Sequence, residues 1–215
     1  MDSPSRTGLE DWRAIHGGLI LAAMPMPWLL PLPVVWPLYL LMPLLIYFLA
    51  VLAIARLRRS LCWLQLGSID RTTILATLAI IALSSIALAG YDKVFHPDLG
   101  DLRARTPDWI LERPILGGAF FALLNALLEE MIFRGILLDA LESQVGIKAA
   151  VLVQALAFGL LHKEGYPPGP VGMGLATLYG LMLGWLRARS GGLLLPWTAH
   201  IVADATIFIT VVYGR

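Results

Sequence analysis

Phe120-Phe121-Ala122-Leu123-Leu124-Asn125-Ala126-Leu127-Leu128-Glu129-Glu130-Met131-Ile132-Phe133-Arg134-Gly135-Ile136-Leu137-Leu138 is the stretch on which the reading of this chain turns. It is apolar enough for a bilayer, yet it holds two adjacent acids and an arginine within six residues. A charged side chain at a bilayer centre costs roughly 2.5–3.5 kcal/mol on insertion scales. Three of them must face the protein interior or a wet cavity, and such groups read as a functional site by default. Later apolar segments supply partners of the right kind in His162, His200 and Asp204.

The surroundings agree with a membrane setting. Of 215 residues 58% are hydrophobic and only 14% charged, and the mean hydropathy is +0.76. Soluble domains average about 45–50% apolar and about 25% charged. The reading is an all-α, polytopic transmembrane helical bundle in a single membrane domain. A net charge of +1 suggests no nucleic-acid partner. One cysteine, Cys62, excludes an internal disulfide and a Cys-rich metal site. The polar start of the chain lacks the compact apolar core of a removable signal peptide.

Spanning takes about 20 apolar residues. The clearest candidate spans cover 34–55, 72–90, 117–140, 147–162, 171–187 and 193–213. The shorter piece Gly17 to Leu30, interrupted by Pro25 and Pro27, makes seven, with six as the fallback. Pro31-Leu32-Pro33 after it suits a tight hairpin. The expected organisation is a polar segment 1–16, N-terminal spans in 17–90, a polar loop 91–116 and a four-helix core in 117–213. Most of the seven tryptophans fall near span ends, as an aromatic belt would. Gly180 and Gly184 form a GxxxG face for close helix contact. Arg56, Arg58, Arg59 and Arg71 crowd one loop, and Arg187 and Arg189 follow a later span. With seven spans these share a side with Arg6 and Arg13, which makes the N-terminus cytoplasmic, in a cell or inner membrane.

Neighbouring helical residues point about 100° apart, so Glu129 and Glu130 cannot do the same job. Arg134 stands four residues after Glu130, where an intrahelical ion pair offsets burial. Glu129 is then the carboxylate free to look elsewhere, the kind of group that serves as a general base. Phe158 and His162, four residues apart, share a face at the end of one span. His200 and Asp204 share a face inside another. One carboxylate and two histidines can activate water for attack on a carbonyl. They can also bind zinc, although no HExxH occurs in the chain. Ser84, Ser85 and Cys62 lack an adjacent base. His16 and His96 sit in polar segments and receive no role. The connection after His162, with Lys163, Glu164 and Tyr166, reads as an ordinary loop beside the site.

Three motifs now stand in order: EExxxR at Glu129–Arg134, FxxxH at Phe158–His162 and HxxxD at His200–Asp204. Over roughly residues 115–213 the chain resembles the CPBP family, the CAAX-protease and bacteriocin-processing group of intramembrane glutamic proteases. The resemblance implies Glu129 as general base and His162 as the group that orients or activates the water. His200 and Asp204 would line the oxyanion site, with Glu130, Arg134 and Phe158 in support and no cofactor or metal. The family often has asparagine where this chain has Asp204. An aspartate donates a hydrogen bond only when protonated and otherwise orients His200. The implied partners are the lipid bilayer and a membrane-associated protein or peptide, a C-terminal tail or sorting tag among them. A zinc hydrolase built on the same residues, or a non-catalytic immunity or scaffold protein, are the alternatives that the residues alone leave open.

Overall fold

Residues 6–30 and 35–214 are described by the computed structural model, and among them every regular element is a helix. The hairpin expected at Pro31-Leu32-Pro33 lies outside the described residues. The chain is an integral membrane protein. Among the described residues four helices are long and apolar enough to cross a bilayer: α5 (Arg71–Phe95), the continuous helix Pro114–Val145, α11 (Gly169–Ser190) and α12 (Leu194–Tyr213). Two shorter apolar helices, α3 (Leu38–Ala53) and α10 (Ile147–Leu161), accompany them. The seventh expected span, Gly17 to Leu30, is divided. It forms the end of α1 (Arg6–Ala23), a turn at 24–25, and the short α2 (Met26–Leu29). Pro25 and Pro27 explain the break, because proline cannot continue the backbone ladder of the preceding turn.

The bundle has two faces. α10 lies along α11, while α12 is flanked by α5 and by α8 (Pro114–Glu130), so the later helices enclose a common interior. α1 packs against α3, α4 (Ala55–Ser60) and α9 (Leu138–Val145), and it buttresses the outer side of the Glu-bearing helix. The expected GxxxG contact is present. A Cβ on Gly180 would lie 3.0 Å from Ala155 Cα, and one on Gly184 would lie 2.5 Å from Gln154 Nε2. Gln154 Nε2 donates to the Gly180 carbonyl at 2.8 Å, joining α10 to α11.

The connections are more structured than their polarity suggests. The stretch 91–113 holds the end of α5 and the short helices α6 (Gly100–Arg105) and α7 (Asp108–Glu112). Arg103 donates from Nε to Val211 O at 2.7 Å and from Nη2 to Gly214 O at 2.6 Å. It thereby serves carbonyls that the end of α12 leaves without helical partners. Residues 61–70 run extended and pair with the α11–α12 turn. Ser68 N donates to Ser190 O at 2.7 Å, and Leu193 N donates to Gln65 O at 2.8 Å. Gly192 permits this approach, since a Cβ there would come within about 2.0 Å of Leu66 and Gly67 backbone atoms.

Asp70 opens α5 with a capping box, accepting from Thr73 N at 2.8 Å while Thr73 Oγ1 accepts from Asp70 N at 2.9 Å. The Thr73 amide first, and the nearby Arg189, hold the Asp70 carboxyl below its ordinary value. Trp63 departs from the aromatic-belt expectation. It is fully buried, and a Cβ on Gly135 would meet its ring at 2.5 Å. His16 is likewise buried, in a network with Tyr47 and Ser60 that its polar neighbours in sequence do not reveal.

Candidate active site

Glu129 and Glu130 are the two central residues of the helix Pro114–Val145. Immediately after them the helix widens into a π-helical segment, Met131–Leu137. Such segments are rare and occur mostly at functional sites. The predicted ion pair is there, with Arg134 Nη1 donating to Glu130 Oε1 at 2.9 Å and both side chains fully buried. The guanidinium carbon also sits 4.2 Å from the centroid of the Phe158 ring. Burial of this charge is thus supported by a carboxylate on one side and an aromatic face on the other.

Phe158 explains the first position of its motif. Its ring is contacted edge-on by Phe133 with centroids 5.0 Å apart, and lies 4.1 Å from His162 and 6.0 Å from His200. It is the apolar plate on which Arg134 and both histidines rest. His162 stands at the C-terminal cap of α10. Its Nδ1 lies 2.7 Å from Phe158 O. A carbonyl can only accept, so Nδ1 carries the hydrogen and a neutral His162 presents a bare Nε2. That atom lies 3.7 Å from Glu129 Oε2.

The structure departs from the simplest reading of the His200–Asp204 pair. The two share a face, but the tight partner of His200 is Glu130, with Nδ1 to Oε1 at 2.7 Å. Asp204 Oδ1 stands back at 3.7 Å from His200 Nε2. The other oxygen of Asp204 accepts from Asn125 Nδ2 at 3.1 Å. Tertiary packing of α12 on α8 brings Glu130, already oriented by Arg134, against Nδ1, while Asp204 approaches the other ring nitrogen. His200 Nε2 is left 3.6 Å from Glu129 Oε2.

All the predicted site residues are therefore gathered in one place. Oε2 of Glu129 is buried without a hydrogen-bond partner among the described residues and faces both imidazole Nε2 atoms. A cavity of about 460 Å³ adjoins them, lined by His162, His200 and Asp204 and by apolar residues such as Leu83, Leu175 and Ile207. Ser84 also reaches this cavity, though its Oγ donates to Ile81 O at 3.1 Å. Tyr166 and Pro167, from the connection after His162, line the cavity as well.

Two residues escaped the sequence reading. Asn125 stands one turn before Glu129, and its i,i+4 spacing was the available signal. Tyr179 is partly buried against His200 with ring centroids 5.5 Å apart, and its buried hydroxyl has no partner among the described residues. Nothing in its local sequence marks it. Among the described residues no group of three or more His, Cys, Asp and Glu side chains has the arrangement to hold a metal ion.

Residues 111–206, a little under half of the chain, match the family model described as Type II CAAX prenyl endopeptidase Rce1-like. The matched segment contains all three motifs. No curated protein and no solved structure matches the chain.

Proposed function

With residues 111–206 identified as an Rce1-like CAAX-protease segment in an integral membrane protein, we propose that the chain is an intramembrane endopeptidase of the glutamic type. It hydrolyses a peptide bond of a membrane-associated protein or peptide. The observation that carries this reading is the convergence of the three motifs on one oxygen without a hydrogen-bond partner among the described residues. Glu129 Oε2 lies 3.7 Å from His162 Nε2 and 3.6 Å from His200 Nε2.

Each group has a task that its hydrogen bonds support. Glu129 Oε2 and the bare Nε2 of His162 are both acceptors, so together they can take the two hydrogens of one water. The water oxygen then turns a lone pair toward the cavity. As it attacks the scissile carbonyl carbon, its proton passes to Glu129. The carbonyl oxygen becomes an oxyanion, stabilised by a proton on His200 Nε2. Glu130, bonded to Nδ1 of His200, and Asp204 supply counter-charge to that imidazolium. Asp204 adds a second donor when its carboxyl is protonated. Collapse of the intermediate breaks the C–N bond, and Glu129 returns its proton to the leaving amine. The second water hydrogen, left on the new carboxylic acid, passes by way of His162 Nε2 to the amine, so the products are a carboxylate and an ammonium, and the site is restored.

The mostly apolar lining of the cavity favours a substrate that brings an apolar group to the cut. The family's description makes a prenylated C-terminal tail the first probe. Arg13, bonded to Asp139, lies at the end of the bundle where Arg56 stacks over Trp12. That basic end is assigned to the cytoplasm, in a cell or inner membrane.

Comparative peptidomics of cells carrying wild-type or Glu129→Gln protein tests the reading. Peptides ending at a defined cut should vanish in the variant, and identical peptidomes would sink the assignment. Purified protein should also stay active after exhaustive chelation. Activity lost with one-to-one zinc and restored only by its return would transfer the chemistry to a metallohydrolase.

A further inference from the structure

Asn125 connects groups that the three motifs do not mention. Its side chain is almost fully buried and makes three hydrogen bonds. Nδ2 donates to Glu129 Oε1 at 3.2 Å and to Asp204 Oδ2 at 3.1 Å. Oδ1 accepts from the Trp36 indole Nε1 at 3.0 Å. Both amide hydrogens are used, one on each acid. The indole is seated in turn by Phe121, with centroids 5.1 Å apart, and by Phe120, edge-on at 6.0 Å.

We infer that Asn125 is a positioning residue for the general base: held in one orientation by Trp36, its amide fixes which oxygen of Glu129 faces the two histidines. This rests on the hydrolytic reading above. A carboxylate has two equivalent oxygens and turns readily about its last torsion. With Oε1 tied to Asn125, only Oε2 remains for a water shared with His162. The amide itself cannot reverse. Reversal would set its oxygen against two carboxylate oxygens and its NH₂ against the indole N–H. Three favourable contacts would become three unfavourable ones. Trp36 lies outside the segment 111–206, so the N-terminal part of the chain contributes to the site's geometry.

The test uses full-length protein in liposomes. A mixed pool of farnesylated CAAX peptides and unlipidated peptides is offered, and kinetics follow on whichever the wild type cleaves fastest. Asn125→Leu should lower kcat by about 10²-fold, the scale of a misplaced catalytic group. KM should stay within about twofold, since substrate binding is untouched. Asn125→Asp keeps the shape and the acceptor for Trp36 but loses both donors, and it should be equally slow. This variant decides the matter should the leucine variant fold poorly. Combining Asn125→Asp with Asp204→Asn rebuilds a donor–acceptor pair between the two helices yet leaves Glu129 without its N–H, so it should remain slow. Trp36→Phe should cost only about threefold to tenfold, because the two carboxylates still orient the amide.

Wild-type kcat in Asn125→Leu, or recovery in the exchanged pair, would overturn the inference and make Asn125 a packing link only. Wild-type protein that cuts nothing in the pool, or an active Glu129→Gln, fails the hydrolytic reading and takes the inference with it.

Discussion

Two buried histidine clusters in this molecule are built from similar parts and completed differently. Around His16 every bond is made. Trp63 Nε1 donates to the Tyr47 hydroxyl at 2.8 Å, and because Ser60 spends its hydrogen on a backbone carbonyl, Tyr47 donates onward to His16 Nδ1 at 2.7 Å. That requires the tautomer with hydrogen on Nε2, which donates to Ser60 Oγ at 3.0 Å. Ser60 passes its own hydrogen to a carbonyl of α4. Around Glu129 the pattern stays open. Oε2 of Glu129, Oε2 of Glu130, two nitrogens of Arg134 and the Tyr179 hydroxyl are buried without a partner among the described residues. Each such group costs about 1–3 kcal/mol. A satisfied network holds helices in register. An open one beside a cavity leaves polar atoms unpaired at the expense of stability.

The contrast predicts opposite consequences for substitutions in the two clusters. Glu129→Gln should bring the largest loss, about 10⁴-fold in turnover at the upper end for a general base. Its thermal midpoint should match or exceed that of the wild type, since a buried charge has been neutralised. A midpoint well below the wild type would place Glu129 with the structural cluster. Glu130→Gln reaches into both properties. It leaves Arg134 buried without its counter-charge and removes the tight partner of His200. Unfolding in denaturant should show a loss of about 3–5 kcal/mol, and a normal denaturation midpoint would break the comparison on this side.

Asp204→Ala should lower kcat by about 10²–10³-fold, the cost of one oxyanion donor. Asp204→Asn should fall far less, because its amide oxygen can still accept from Asn125 while its NH₂ supplies a neutral donor. Equal inactivity of the two in folded protein would mean that the negative charge acts on His200. The smallest effect belongs to the closed cluster. His16→Leu should destabilise by about 1–3 kcal/mol through the stranded Tyr47 hydroxyl. Turnover per folded molecule should stay at the wild-type value, and a kcat defect measured on the folded fraction would show that the clusters communicate.

The amino-acid sequence by itself determined the class of the molecule and named the motif residues that the structure gathers around Glu129. Hydropathy and length require membrane helices, since a bilayer leaves the backbone no partner but itself. The cost of three charges inside Phe120–Leu138 already required a buried cluster, and four-residue spacing paired Glu130 with Arg134. These are properties of one helix at a time, which local sequence encodes. Tertiary structure alone decided how the helices meet. It gave His200 to Glu130 in place of Asp204, laid Phe158 beneath Arg134 and both histidines, and brought Trp36 to Asn125 across 89 positions of chain. It also buried His16, which its polar segment gave no reason to single out. Helical periodicity states which residues share a face, while the neighbour that face meets is set by packing with every other helix.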